Sequence, residues 1–100
     1  MSPTQRTLKW YRDTGMCPFV VEHWNPFSRR RVDLFGFIDI VVLGEDQTIG
    51  VQCTSMPHVS SRVKKIANHE NVGKVRKAGW KILVMGWAKG KKEPRIVDCS

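Results

Sequence analysis

Apolar positions crowd into two short runs near the middle of the chain, Phe37 to Leu43 and Thr48 to Thr54, separated by the polar turn Gly44-Glu45-Asp46-Gln47. Runs rich in Ile, Val and Phe joined by a tight polar turn predict an antiparallel hairpin. A symmetric turn sets Leu43 against Thr48, Val41 against Gly50 and Asp39 against Gln52. Side chains alternate faces along a strand, so Phe37, Asp39 and Val41 should share one face with Gly50, Gln52 and Thr54. A carboxylate inside an apolar strand is costly unless it is paired or binds a metal. Asp39 is therefore the position that needs a reason.

The remaining pattern supplies the elements around this hairpin. Ser2-Pro3-Thr4-Gln5 predicts a helix start, with Ser2 as cap, Pro3 at the first helical position and Gln5 completing a capping box. Thr4, Leu8 and Tyr11, with Trp10 beside them, form its expected inward stripe, and Gly15 its stop. Met16 to Trp24 reads as one strand, with Glu22 a second acid among apolar neighbours. Asn25 to Arg31 reads as a turn or long hairpin tip, and Gly36 as a bulge or a close backbone approach. Ser55 to Pro57 breaks the strand. Val59 to Ala67 has helical spacing, Val72 to Ala78 suggests a second short helix, Trp80 to Trp87 a strand, and Arg95 to Asp98 an edge strand. The order α-β-β-β-α-β-β predicts an α/β or α+β layout, with helices flanking a mixed central sheet.

Length and charge narrow the classes. One hundred residues make one domain, 1–100, able to bury a single core. No apolar run approaches 20 residues and no leader pattern is present, so a soluble, unexported, cytoplasmic protein with no membrane partner is expected. Cys17, Cys53 and Cys99 are too widely spaced for a zinc ribbon and odd in number for a disulfide frame. Seventeen Lys and Arg against nine acids give +8, the balance of a protein that meets a polyanion, most often nucleic acid. Arg29, Arg30 and Arg31, and then Arg62, Lys64 and Lys65 on the first helix after the hairpin, are the candidate contacts.

Chemistry follows from the acids. Glu22, Asp33 and Asp39 come from three neighbouring pieces of chain. Phosphodiester cleavage commonly uses Mg²⁺ or Mn²⁺ held by carboxylates and carbonyls. Asp39 is the anchor, Gln52 can add a neutral oxygen, and the backbone carbonyl of Cys53 a further ligand. A cation from Arg62, Lys64 or Lys65 can face the developing phosphorane charge. The bland alternative pairs Asp39 with an arginine, sets Gln52 to bonding strand ends, leaves Glu22 facing solvent and lets the arginine run neutralise Asp33. His23, His58 and His69 share no ligand spacing and read as surface or strand-end residues. Cys53, opposite Gln52, reads as a small core residue. Trp10, Trp24, Trp80 and Trp87 could stack on bases, but core packing suits most of them.

Asp39-Ile40-Val41-Val42-Leu43, a turn, and a polar residue 13 positions after Asp39 resemble the core motif of the PD-(D/E)XK nucleases. The longer run is similar to the small phage VRR-NUC-like nucleases and archaeal-type Holliday junction resolvases. It comprises Val21-Glu22, Trp24-Asn25-Pro26, Arg31, Asp33 to Phe37 with Asp39, Val51-Gln52, Thr54-Ser55, Arg62-Val63, Lys65-Ile66 and Gly79-Trp80. The resemblance covers nearly the whole chain. It implies a restriction-endonuclease-like core, Mg²⁺ or Mn²⁺ as cofactor, DNA as partner with branched DNA as one substrate, a homodimer as an option, and a phage origin. Gln52-Cys53-Thr54 stands where that family has Glu-x-Lys. Gln52 then lacks the ligand charge and Thr54 the phosphate-facing cation. Glu22 or Asp33 would restore the first, and Lys65, Lys64 or Arg62 the second. The expected activity is thus a metal-dependent DNA endonuclease with Asp39, Gln52, Thr54, Asp33, Glu22 and Lys65 at its site. The alternatives are a non-catalytic nucleic-acid-binding module on the same fold and an accessory protein that binds a host protein.

Overall fold

The computed structural model describes Met1 to Ser100. Helix α1 (Pro3–Asp13) begins with the expected capping box: the Ser2 hydroxyl accepts from the Gln5 amide and the Gln5 side chain accepts from the Ser2 amide. Strands β1 (Cys17–Val20), β4 (Ile40–Gly44), β5 (Gln47–Ser55), β6 (Lys81–Trp87) and β7 (Arg95–Asp98) form a five-stranded sheet in that spatial order. Strands β2 (His23–Asn25) and β3 (Arg30–Val32) form a separate two-stranded hairpin. A 3₁₀ turn (Met56–His58), α2 (Val59–Ala67) and α3 (Val72–Lys77) make the crossover between β5 and β6, the one parallel pair in an otherwise antiparallel sheet. The fold is α+β with a mixed sheet, as the element order implies.

The central hairpin has the predicted register: Leu43 pairs with Thr48, Val41 with Gly50 and Ile40 with Val51. Two apolar layers cover the sheet. On one face α1 packs Tyr11 against Ile40, Val42, Ile49, Val51, Met85 and Trp87. On the other, α2 and α3 pack Val59, Ile66, Val72 and Val75 against Phe37, Ile38, Ile82 and Val84. Each buried aliphatic or aromatic side chain contributes about 1.5–3 kcal/mol of transfer free energy. Gly50 keeps the second layer tight, because a Cβ there would lie 2.6 Å from the Ile38 Cδ1 atom.

Three local expectations need correction. Met16 to Trp24 is not one strand: it breaks at Val21-Glu22, leaving β1 in the main sheet and β2 in the hairpin. The reason is a shared acceptor, since the amides of Val21 and Glu22 both converge on the Asp39 carbonyl, at 2.9 and 3.4 Å. Phe37 to Asp39 is not yet strand either. Leu34 and Ile38 exchange backbone bonds around a tight turn, and Asp39 is the bend from which β4 starts. In α1 the buried hydroxyl is Thr7 rather than Thr4, because the Thr7 hydroxyl both donates to the Pro3 carbonyl and accepts from the Trp87 Nε1.

Candidate metal centre and its cationic flanks

Where the sheet meets the β2–β3 hairpin, three chain segments bring acids together. Glu22 immediately precedes β2, Asp33 immediately follows β3, and Asp39 stands just before β4. One carboxylate oxygen from each lies within 4.8 Å of the others. Asp39 is only 5% exposed, whereas the side chains of Glu22 and Asp33 each keep 18%. The loop carrying Asp33 is pinned from behind. Gly36 has φ +91° and lies so close to His69 that a Cβ would fall 2.2 Å from the imidazole Nε2. The Asn71 side chain also donates to the Phe35 carbonyl at 3.1 Å. The close approach expected at Gly36 is thus a contact with the α2–α3 link, and His69 is a packing residue rather than a surface one.

Asp39 is held by β5. The Gln52 Nε2 donates to its Oδ2 at 2.6 Å, and the Cys53 amide donates to the same oxygen at 2.8 Å. Asp39 and Gln52 therefore meet across the hairpin on one sheet face, as the register predicts. Gln52 is 3% exposed, and its Oε1 is buried with no partner. A buried amide oxygen left unpaired costs about 1–3 kcal/mol. Burial, reinforced by the hydrogen bond with Asp33, pushes the Asp39 carboxyl up to about 7, against the opposing pull of the Cys53 amide and Gln52. Cys53 reaches the cluster through its amide. Its side chain lies on the α1 face, where burial pushes the thiol up to about 12, so it is no nucleophile at neutral pH.

Cations stand at the rim. The Lys65 Nζ lies 3.6 Å from the Asp33 Oδ2, and an Arg31 guanidinium nitrogen 3.8 Å from the Glu22 Oε1. Asp39 has no cationic partner, so the arginine lock of the bland reading is absent. The hairpin, through Arg31, and α2, through Lys65, thus flank one acid cluster. Arg62 and Lys64 lie on α2 without an ion pair, and Arg29 and Arg30 are exposed on the hairpin. Thr54 is buried beside Gly86 on the Gln52 face and makes no hydrogen bond to the acids. None of the three histidines joins the cluster.

Sequence reasoning missed a further cationic surface. A cleft of about 1110 Å³ lies between the start of α1 and the β6–β7 loop, lined by Arg6, Lys9, Lys89, Lys91, Lys92 and Trp10 among others. It touches Ser55 at the end of β5, the strand that carries Gln52. Arg6 sits 4.5 Å from the Trp87 ring centroid and donates to the carbonyls of Ala88 and Lys91, which fixes that loop to α1. Lys89, Lys91 and Lys92 are a local basic turn, and what no local pattern announces is its contact with Arg6, 82 positions from Ala88.

No family model, curated protein or solved structure matches this chain. No helix is long and apolar enough to cross a membrane.

Proposed function

We propose that this protein is a divalent-metal-dependent nuclease that hydrolyses phosphodiester bonds in DNA, with branched DNA among its substrates. The observation that carries the reading is the convergence of Glu22, Asp33 and Asp39 within 4.8 Å around a buried Asp39 that no cation neutralises. An all-oxygen donor set suits a hard cation, Mg²⁺ or Mn²⁺. The unpartnered Gln52 Oε1 fits the same set, since turning the amide over would place an oxygen where Nε2 now faces Asp39. Asp39, Asp33 and Glu22 would hold the ion, with Gln52 and the carbonyl of Cys53 as neutral donors. When bound, such an ion lowers the pKa of a coordinated water and screens the phosphate.

The chain's own residues would do the rest. The Cys53 amide fixes the orientation of the Asp39 carboxylate. Lys65 can leave Asp33 for a phosphate oxygen, supplying the cation that Thr54 lacks. Arg29 to Arg31 and the α2 cations Arg62 and Lys64 would hold the DNA backbone. The +8 charge supports a polyanionic partner. The test is cleavage of linear, single-stranded and four-way DNA with and without Mg²⁺ or Mn²⁺. Metal-dependent cleavage by the native chain that Asp39→Asn abolishes is the expected result; no cleavage of any form overturns it.

One observation favours a second reading, a non-catalytic nucleic-acid-binding module. Glu22 and Asp33 already have Arg31 and Lys65 as partners, so two of the three acids are neutralised within the chain. That reading expects salt-sensitive binding and no cleavage under any metal.

A further inference from the structure

The β2–β3 hairpin has a composition that packing does not explain. From His23 to Val32 no residue is buried; only Asn25 and Val32 are half-covered. Phe27, at the tip, is 97% exposed and Trp24 is 57% exposed. Leaving a Phe side chain in water forgoes its whole burial free energy, and nothing in the chain folds over it. Three arginines, Arg29, Arg30 and Arg31, follow within four positions of Phe27. Trp24 and Arg31 are cross-strand partners, as are Asn25 and Arg30.

The tip is nonetheless ordered. The Asn25 Oδ1 accepts from the Phe27 amide at 2.9 Å and from the Ser28 amide at 3.3 Å, and its carbonyl accepts from the Arg29 amide at 2.8 Å. Arg29 closes the turn with φ +54°. An isolated two-stranded hairpin is marginal in water. This one is rooted at both ends: Glu22 before it bonds the Asp39 carbonyl and Asp33 after it joins the acid cluster. A preorganised aromatic tip on a cationic stem, standing directly on the candidate metal centre, has the makings of a nucleic-acid grip. Aromatic faces stack on unpaired bases, whereas paired bases are already stacked, and guanidinium groups follow the phosphates.

We propose that the hairpin is a substrate-selecting arm: the exposed Phe27 stacks on an unpaired base while Arg29 to Arg31 hold the adjoining backbone, so that single-stranded or branched DNA is preferred over duplex. The proposal rests on the nucleic-acid reading above, but it needs no hydrolysis. Its partner is nucleic acid rather than a membrane, because three adjacent guanidinium groups and two aromatic rings match the alternation of phosphates and bases along a strand.

The experiment measures binding in metal-free, chelated buffer, by anisotropy of a labelled single strand, the same sequence as a blunt duplex, and a four-way junction. Phe27→Ala should weaken single-strand and junction binding about tenfold while changing duplex binding by less than about twofold, and Phe27→Trp should restore the loss. Replacing Arg29, Arg30 and Arg31 by Ala should weaken all three forms and reduce the salt slope by about 2 to 3. Equal loss on duplex and single strand, or no loss for Phe27→Ala, overturns the selecting arm and leaves the nuclease reading intact. Absence of cleavage elsewhere leaves the arm intact. Absence of binding to every DNA form overturns both. Comparable binding to phosphatidylserine vesicles that Phe27→Ala removes, with DNA binding unchanged, would assign the arm to a membrane surface and overturn the proposal.

Discussion

The two faces of the sheet bury polar groups in opposite ways. On the α1 face, Thr7 is fully buried and fully satisfied: its hydroxyl donates to the Pro3 carbonyl and accepts from the Trp87 Nε1, both at 2.8 Å. On the α2 face, Asp39 and Gln52 are as deeply buried, yet the carboxyl stands beside another acid and the amide keeps an orphan oxygen. A satisfied buried network stiffens a core, and a partly satisfied one weakens it. The first face is arranged for stability. The second carries a standing electrostatic cost that a bound cation would offset, and the proposed metal site rests on that difference.

The sharpest way to break this contrast is Asp39→Asn. It keeps shape and the acceptor for the Cys53 amide but removes the central charge. Metal-dependent cleavage should fall about a thousandfold or more, since a bound metal supplies several kcal/mol to the transition state. DNA binding should hold or tighten, because the phosphates meet the same cations and less repulsion. Steady-state cleavage beside anisotropy titrations separates the two effects; a parallel loss of both would mean that the residue is structural.

The pH dependence of stability comes next. The Asp39 carboxyl lies at 3.8 in the unfolded chain and about 7 in the fold, raised mainly by burial. The folded state therefore binds the proton more tightly, and this contribution is fully present below 3.8 and lost as pH rises through 7. Without metal, stability should drop by roughly 3 kcal/mol between about pH 5 and pH 8 through this group. Urea unfolding at both values should show that drop in the native chain and a flat profile in Asp39→Asn.

Thr7→Val probes the satisfied face. It leaves the Trp87 Nε1 buried without an acceptor, so it should cost about 1–3 kcal/mol at every pH, with metal response unchanged. Gln52→Glu probes the other face and should have opposite signs in two conditions. A further carboxylate beside Asp39 lowers metal-free stability, while Mg²⁺ affinity rises about tenfold as a charged ligand replaces a neutral one. Calorimetric titration of Mg²⁺ reads the second effect. The smallest expected effect is on the rim: replacing Lys64 and Lys65 by Ala should reduce the salt slope of DNA binding by about 1 to 2.

Most of the fold was legible because local signals agreed with one another. The capping box at Ser2, the helix Val59–Ala67 and the edge strand Arg95–Asp98 stand where spacing put them. The hairpin register followed from its two-residue turn, and it carried the pairing of Asp39 with Gln52. What could not be read is what depends on long-range partners. The break at Val21-Glu22 exists because the Asp39 carbonyl captures both amides, and that acceptor lies 17 residues onward. The burial of Thr7 depends on Trp87, and the cationic cleft joins Arg6 to the β6–β7 loop. Glu22 and Asp33 were legible as candidates from their apolar or basic settings, but their convergence needed the hairpin to fold back on its own root. The exposed tip at Phe27 carried a signal in hindsight, an aromatic residue after Asn-Pro and before three arginines, that periodicity alone does not weigh.

The central claim is that the strained polar end of the α2 face is a divalent-cation site. Thermal unfolding at pH 8 against increasing Mn²⁺ tests it directly, in the native chain and in Asp39→Asn. Ligand that binds only the folded state raises its melting temperature by mass action. The native chain should gain several degrees at saturating Mn²⁺ and Asp39→Asn almost none. No Mn²⁺-dependent rise in the native chain, or an equal rise in both, would contradict the account.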